Sequence, residues 1–248
     1  MGDGWYALVP ARNSMSSSHL SRKDLKSDPL ATEVEHGVEY VATHKSQVTL
    51  YVGIAVAVLL AIGGFMLYRT RQAAAREEAL AKAWLVVGAP VGSAATSVAL
   101  SYPTQEEKEK AMVSAFTKVA DEYPSSAEGA IARMRVAALK MDKGELDGAI
   151  SDYRQVIDKG PSELASSAKL AAAQLLWGQG KTDEGKKLLQ DLIDHPTAYV
   201  SSEQAKLTLA RLQIDKDPAE AKKLLDSLDK AGPQIKSIVA DLSAQLPK

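Results

Sequence analysis

Between Val48 and Tyr68 the chain reads VTLYVGIAVAVLLAIGGFMLY, 21 residues with neither a charge nor a proline. As a helix this stretch is ~31 Å long, against about 30 Å for the hydrocarbon core of a bilayer. A core helix of a soluble domain keeps a polar stripe, so six turns that are apolar all round point to lipid on every side. Tyr51 and Tyr68 stand near the two ends, where amphipathic rings favour the interface, and Lys45 and Arg69 lie just outside. The competing reading is a cleavable export signal with Ala73-Ala74-Ala75 as its cleavage site. Against it, the run is longer than a usual signal core, 47 mostly polar residues precede it, and Arg69 and Arg71 separate it from those alanines. The segment therefore reads as one uncleaved transmembrane helix over residues 48–68. Gly53, Ala57 and Ala61 recur four apart along one side, a stripe on which a second membrane helix could approach closely.

The sequence before the span is of two kinds. Residues 1–20 read as a disordered tail. Residues 1–14 match nothing that follows, and Met15 offers a second start, so both starts stay open. Residues 21–47 read as a juxtamembrane amphipathic helical segment. Ser21 with Asp24 fits a short capping box, and Asp28-Pro29 gives an N-cap followed by proline at the first helical position. Leu30, Val34, Val38 and Val41 then fall at helical spacing, with Glu33, Glu35 and Glu39 largely elsewhere on the wheel. That acidic face disfavours anionic lipid and leaves two roles, docking a partner or leading into the span.

Composition removes several kinds of function. The formal net charge is −1, and the balance holds locally: 5 basic and 6 acidic side chains before the span, 25 of each after it. No basic footprint for nucleic acid exists. With no cysteine there are no disulfides, thiolate metal sites, cysteine nucleophile or lipid-bearing cysteine. Only 5% of residues are aromatic and 39 are alanine, which favours closely approaching helices over a sandwich or barrel.

A period of about 36 residues fills the remainder. Pro124, Pro161, Pro196 and Pro233 are separated by 37, 35 and 37 positions. Phe116, Tyr153, Leu189 and Leu225 form one column before them, and Val119, Val156, Leu192 and Leu228 a second. Ala149, Gly185 and Ala221 stand four positions before the large residues, and turn signals recur at Lys143-Gly144, Gly180-Lys181 and Lys216-Asp217-Pro218. Each unit reads as helix, turn, helix and a terminating proline. The small column marks where paired helices come together. No pair can bury its apolar face alone, so stacked pairs share a continuous core.

These columns resemble the tetratricopeptide repeat: a small residue, a large one four positions on, and a proline about eight later. Ala149, Tyr153 and Pro161 fit, as do Ala221, Leu225 and Pro233, and Gly185, Leu189 and Pro196 fit with one residue missing. The aromatic signature of the first helices is mostly replaced, with Arg133 and Lys140 in its place. The first unit is split, with a helix over about 72–87, a loop carrying Gly88, Pro90, Gly92 and Pro103, and a helix over about 104–122. A last helix over about 233–245 covers the open end. The expected fold is all-α: a single transmembrane helix, a connecting helix and loop over 69–104, and a helix-turn-helix solenoid of repeats with its capping helix over 105–248.

The layout of tail, one span and degenerate repeats resembles the ancillary SecYEG translocon subunit family of bacteria, whose repeat domain is shared with a cell-division coordinator. The resemblance implies a bacterial inner-membrane protein with its N-terminus cytoplasmic and its repeats periplasmic. It implies protein partners: translocon subunits, periplasmic chaperones or client proteins. The alternative it carries is a cell-envelope or cell-division coordinator using the same groove. Flanking charge points the other way, because Lys45 faces Arg69, Arg71, Arg76 and Lys82 across the span. Long domains translocate largely regardless of such clusters, and the orientation implied by the resemblance is preferred.

Catalytic chemistry is not legible. Gly-Lys-Thr at 180–182 ends like a phosphate-binding loop, but Leu175 stands where that loop needs glycine, and the segment follows a helix. His19, His36, His44 and His195 form no ligand pair at helical spacing. Carboxylates sit on solvated helix faces among lysines, such as Glu106 four before Lys110. The expectation is a non-enzyme without cofactor, metal or small-molecule substrate. What is left is a surface: first helices of stacked pairs line a groove able to hold a peptide. Met134, Gln174, Trp177 and Arg211 are the residues the register places there, Trp177 offering the largest contact area with one donor.

Overall fold

The computed structural model describes residues 45–92 and 100–247. The tail, the expected helix over 21–47 and His19, His36 and His44 lie outside the described residues. The chain divides into two compact units, Met1–Leu67 and Tyr68–Lys248. What is described of the first belongs to helix α1, Lys45–Gly88. Its apolar stretch is long and apolar enough to cross a membrane, and none of it is buried in protein. Leu59 and Leu60 are 67% and 71% exposed, an apolar display of the kind a membrane-spanning helix presents to lipid.

In the second unit the C-terminal part of α1 is followed by α2 (Gln105–Glu122), α3 (Ala127–Asp142), α4 (Leu146–Lys159), α5 (Ser162–Gly178), α6 (Thr182–Asp194), α7 (Ser202–Gln213), α8 (Pro218–Asp226) and α9 (Pro233–Ala244). From α2 to α8 each helix packs on the next, α3 also meets α5, and α9 lies on α7 and α8. The described residues contain no β-strand. An isolated parallel bridge joins Val91 to Tyr102, drawing together the limbs of the loop after α1. Gly92 N–H donates to the Tyr102 carbonyl at 3.0 Å and Tyr102 N–H to the Pro90 carbonyl at 3.1 Å.

The helices begin and end where short-range chemistry dictates. Thr104, Ser126, Ser201 and Asp217 cap α2, α3, α7 and α8, each side-chain oxygen accepting from the backbone N–H three residues on. Pro218 and Pro233 occupy first-turn positions of α8 and α9. After α3, Gly144 takes φ +77°, its N–H reaches the Met141 carbonyl at 2.9 Å, and Glu145 N–H reaches that of Lys140 at 2.9 Å. After α5, Gly180 (φ +81°) and Lys181 repeat the two bonds to Trp177 and Leu176. Both are Schellman endings, which place glycine in a left-handed conformation that a Cβ disfavours. Gly180-Lys181-Thr182 is thus the turn between two helices, the same device as Gly144.

The periodic columns are the core. Phe116, Tyr153, Leu189 and Leu225 are no more than 6% exposed, and Val119, Val156, Leu192 and Leu228 no more than 4%. Ala149 and Ala221 are fully buried. A Cβ on Gly185 would lie 2.8 Å from the Ala173 carbonyl oxygen of the paired helix, so the third unit takes the smallest side chain where its helices come closest. Ala83 of α1 joins Phe116, Val119 and Val136, and Trp84 meets Phe116 edge-on with ring centroids 5.1 Å apart. The end of α1 therefore serves as the first helix of the first pair.

Candidate functional site

Met134, Gln174, Trp177 and Arg211 lie on α3, α5, α5 and α7, the first helices of successive pairs. Two of them are partly drawn into the core. Met134 packs against the cluster around Tyr153 and Val156, and Trp177 against Leu189, Leu192 and Leu209. The Lys216 ammonium lies 5.5 Å from the Trp177 ring centroid, within cation–π range. Gln174 and Arg211 are exposed. In the span, Gly53, Ala57 and Ala61 face outward, with nothing within 4 Å of the position a Gly53 Cβ would occupy.

Two features had no place in the sequence reading. The first is a buried carboxylate. The Asp152 side chain on α4 is only 3% exposed, next in sequence to the core residue Tyr153. Arg133 Nη1 approaches its Oδ1 at 3.5 Å, and Lys140 Nζ lies 2.6 Å from Oδ2 as a charge contact off the hydrogen-bonding direction. Arg133 also pairs with Asp121 of α2, so one guanidinium joins α2, α3 and α4. Arg133 and Lys140 are the two basic residues that replace the usual aromatics. They stand seven apart on α3, and nothing in their spacing named the acid they face.

The second feature is a cleft of about 590 Å³ between α2 and the end of α3. Lys110, Ser114, Thr117 and Lys118 line it from α2, with Val113 and Leu139 as apolar floor. Its volume is in the range of pockets that hold ligands. Glu106, expected to pair with Lys110, does not come within ion-pair distance, leaving Lys110 directed to the cleft.

Elsewhere the titratable groups are structural. Lys169 holds the Asp191 carboxyl below its usual range by hydrogen bond and charge, assisted by His195, whose Nδ1 is 3.2 Å from Asp191 Oδ1. Lys181 and Gln179 lower Asp147 in the same way across the turn. Burial pushes the Tyr153 phenol up, and its hydroxyl donates to Met141 Sδ at 3.5 Å. Among the described residues no three His, Asp or Glu side chains gather as metal ligands.

Comparison with known families matches residues 44–202 to one described as a tetratricopeptide repeat-like domain. The match takes in the apolar segment and the pairs through α6, and it ends at the start of α7. No curated protein and no solved structure matches the chain.

Proposed function

Because this chain belongs to the tetratricopeptide repeat-like domain family, we propose that it is a non-catalytic scaffold, anchored by one membrane span, that holds proteins through its repeats. We further assign it to the secretion machinery, as an ancillary factor of the Sec translocon that presents periplasmic chaperones or client proteins. The observation that carries this reading is the single helix Lys45–Gly88, which includes a lipid-compatible stretch and ends as the first core helix of the repeat unit. A chain built this way confines a protein-binding surface to a membrane. The binding surface is the row of first helices α3, α5 and α7, with Gln174 and Arg211 as polar contacts and the free edge of Trp177 as the aromatic anchor.

Photo-crosslinking from positions 174 and 211 in intact cells, followed by purification in mild detergent, tests it. Recovery of translocon subunits or periplasmic chaperones supports the assignment. Adducts confined to division-septum or outer-membrane-assembly proteins, with septal enrichment of the protein, would transfer it to cell-envelope coordination. Absence of any protein adduct would remove the scaffold reading itself.

A further inference from the structure

The cleft between α2 and α3 has a charge arrangement that its own side chains do not satisfy. Four lysines and two carboxylates line it. Of the lysines, Lys140 is held by Asp152 and Lys143 lies 3.5 Å from Glu109. Asp121 is taken by Arg133, while Glu145, at the start of α4, stands at the edge. Lys110 and Lys118 have no carboxylate in ion-pair reach among the described residues, and both are exposed. These two cations are two turns apart on one face of α2, ~12 Å along the axis. Between them lie the hydroxyls of Ser114 and Thr117 and the apolar floor of Val113 and Leu139.

That spacing selects a ligand. In an extended chain, residues i, i+2 and i+4 project from one side, and i to i+4 spans ~13 Å. Two carboxylates at i and i+4 therefore reach Lys110 and Lys118 together, while an aliphatic side chain at i+2 covers Val113 and Leu139. One lipid phosphate reaches only one of the two ammonium groups. We propose that this cleft binds an extended acidic segment of a partner protein with the pattern acidic–x–aliphatic–x–acidic. The site uses α2 and the end of α3 in place of Gln174, Trp177 and Arg211, and it gives the scaffold reading, on which it rests, a second contact of defined chemistry.

The test uses the full chain in a neutral detergent and a fluorescein-labelled peptide containing Asp-Ala-Leu-Ala-Asp, read by fluorescence anisotropy. Binding is expected to fall at least tenfold in the Lys110→Glu/Lys118→Glu variant and to return with the charge-swapped Lys-Ala-Leu-Ala-Lys peptide. Both positions are exposed, so circular dichroism of the variant should match wild type. Moving the second Asp next to Leu should also weaken binding several-fold. Equal binding by the reversed variant, or no binding by wild type, would overturn the proposal. So would lysine-dependent binding to phosphatidylglycerol vesicles without peptide binding, which would make the cleft a lipid contact. If crosslinks from positions 174 and 211 capture partners while the peptide fails, the scaffold stands and only this site is lost.

Discussion

Asp152 shows how much rests on one carboxylate. Moving an ion into a protein interior costs several kcal/mol, offset here by two cations on α3 that are themselves only partly exposed. Asp152→Ala leaves Lys140 without its anion and Arg133 with Asp121 alone. Because both can turn partly to water, the expected loss is about 2–4 kcal/mol, slightly below that of a fully buried pair. It should appear as a lower Tm of the full chain, while Lys140→Met alone should cost less. The Lys169–Asp191 pair behaves differently. A carboxylate whose pKa is lowered on folding contributes stability above its unfolded pKa of about 3.9 and loses it as pH falls through the folded value. The Tm gap between wild type and Lys169→Met should therefore be positive at neutral pH and close below about pH 4. A gap that persists at pH 2 would show that Lys169 acts through packing of its stem. The partners of Asp152 were not legible from spacing, because Arg133 and Lys140 lie 19 and 12 positions away on another helix. A period reports what recurs, and this cluster does not recur.

At the scale of the helix, the repeat was legible because close packing leaves a periodic mark. Where two backbones approach, only a small side chain fits, and the next turn supplies the large residue that fills the neighbouring gap. Gly185 is the extreme of that column. Gly185→Val would drive a branched side chain into the Ala173 carbonyl, and the strain should exceed the ~1 kcal/mol that a better helix former returns. The expected result is a fall in Tm with loss of hydrogen-exchange protection in α5, α6 and α7, leaving α2 and α3 protected. Uniform loss would mean that the pairs do not unfold as neighbours. Turn endings were equally legible, since Gly144 and Gly180 are demanded by backbone conformation alone. The cleft at Lys110 and Lys118 was not. It depends on the gap that two helices leave between them, and a period does not encode that gap. Of the first-helix residues, Met134 and Trp177 have apolar faces that the core also wants, which is why spacing could not separate groove from interior at those positions.

For the molecule as a whole, orientation decides which partners are reachable. Fused after Lys248, a reporter active only outside the cytoplasm is expected to be active, and its cytoplasmic counterpart silent. The reverse pattern would follow the charges at Arg69, Arg71, Arg76 and Lys82 and would take the repeats away from any periplasmic chaperone.

Similar units joined in series face a further hazard: a helix can dock on the wrong sibling. Here several junctions carry charges of their own. Asp121, Arg133 and Asp152 join α2, α3 and α4; Arg154 and Glu184 join α4 and α6; Lys186 and Glu220 join α6 and α8. A helix displaced at the α3–α4 junction would meet the wrong charge or none, and would leave the Asp152 carboxylate desolvated. Buried ionic groups serve as addresses of this kind where like segments compete. An Arg133→Met/Lys140→Leu/Asp152→Leu chain is expected to melt no lower than wild type yet refold to a mixture, seen as doubled amide signals in α3 and α4. A single refolded species would show that shape alone tells neighbour from stranger.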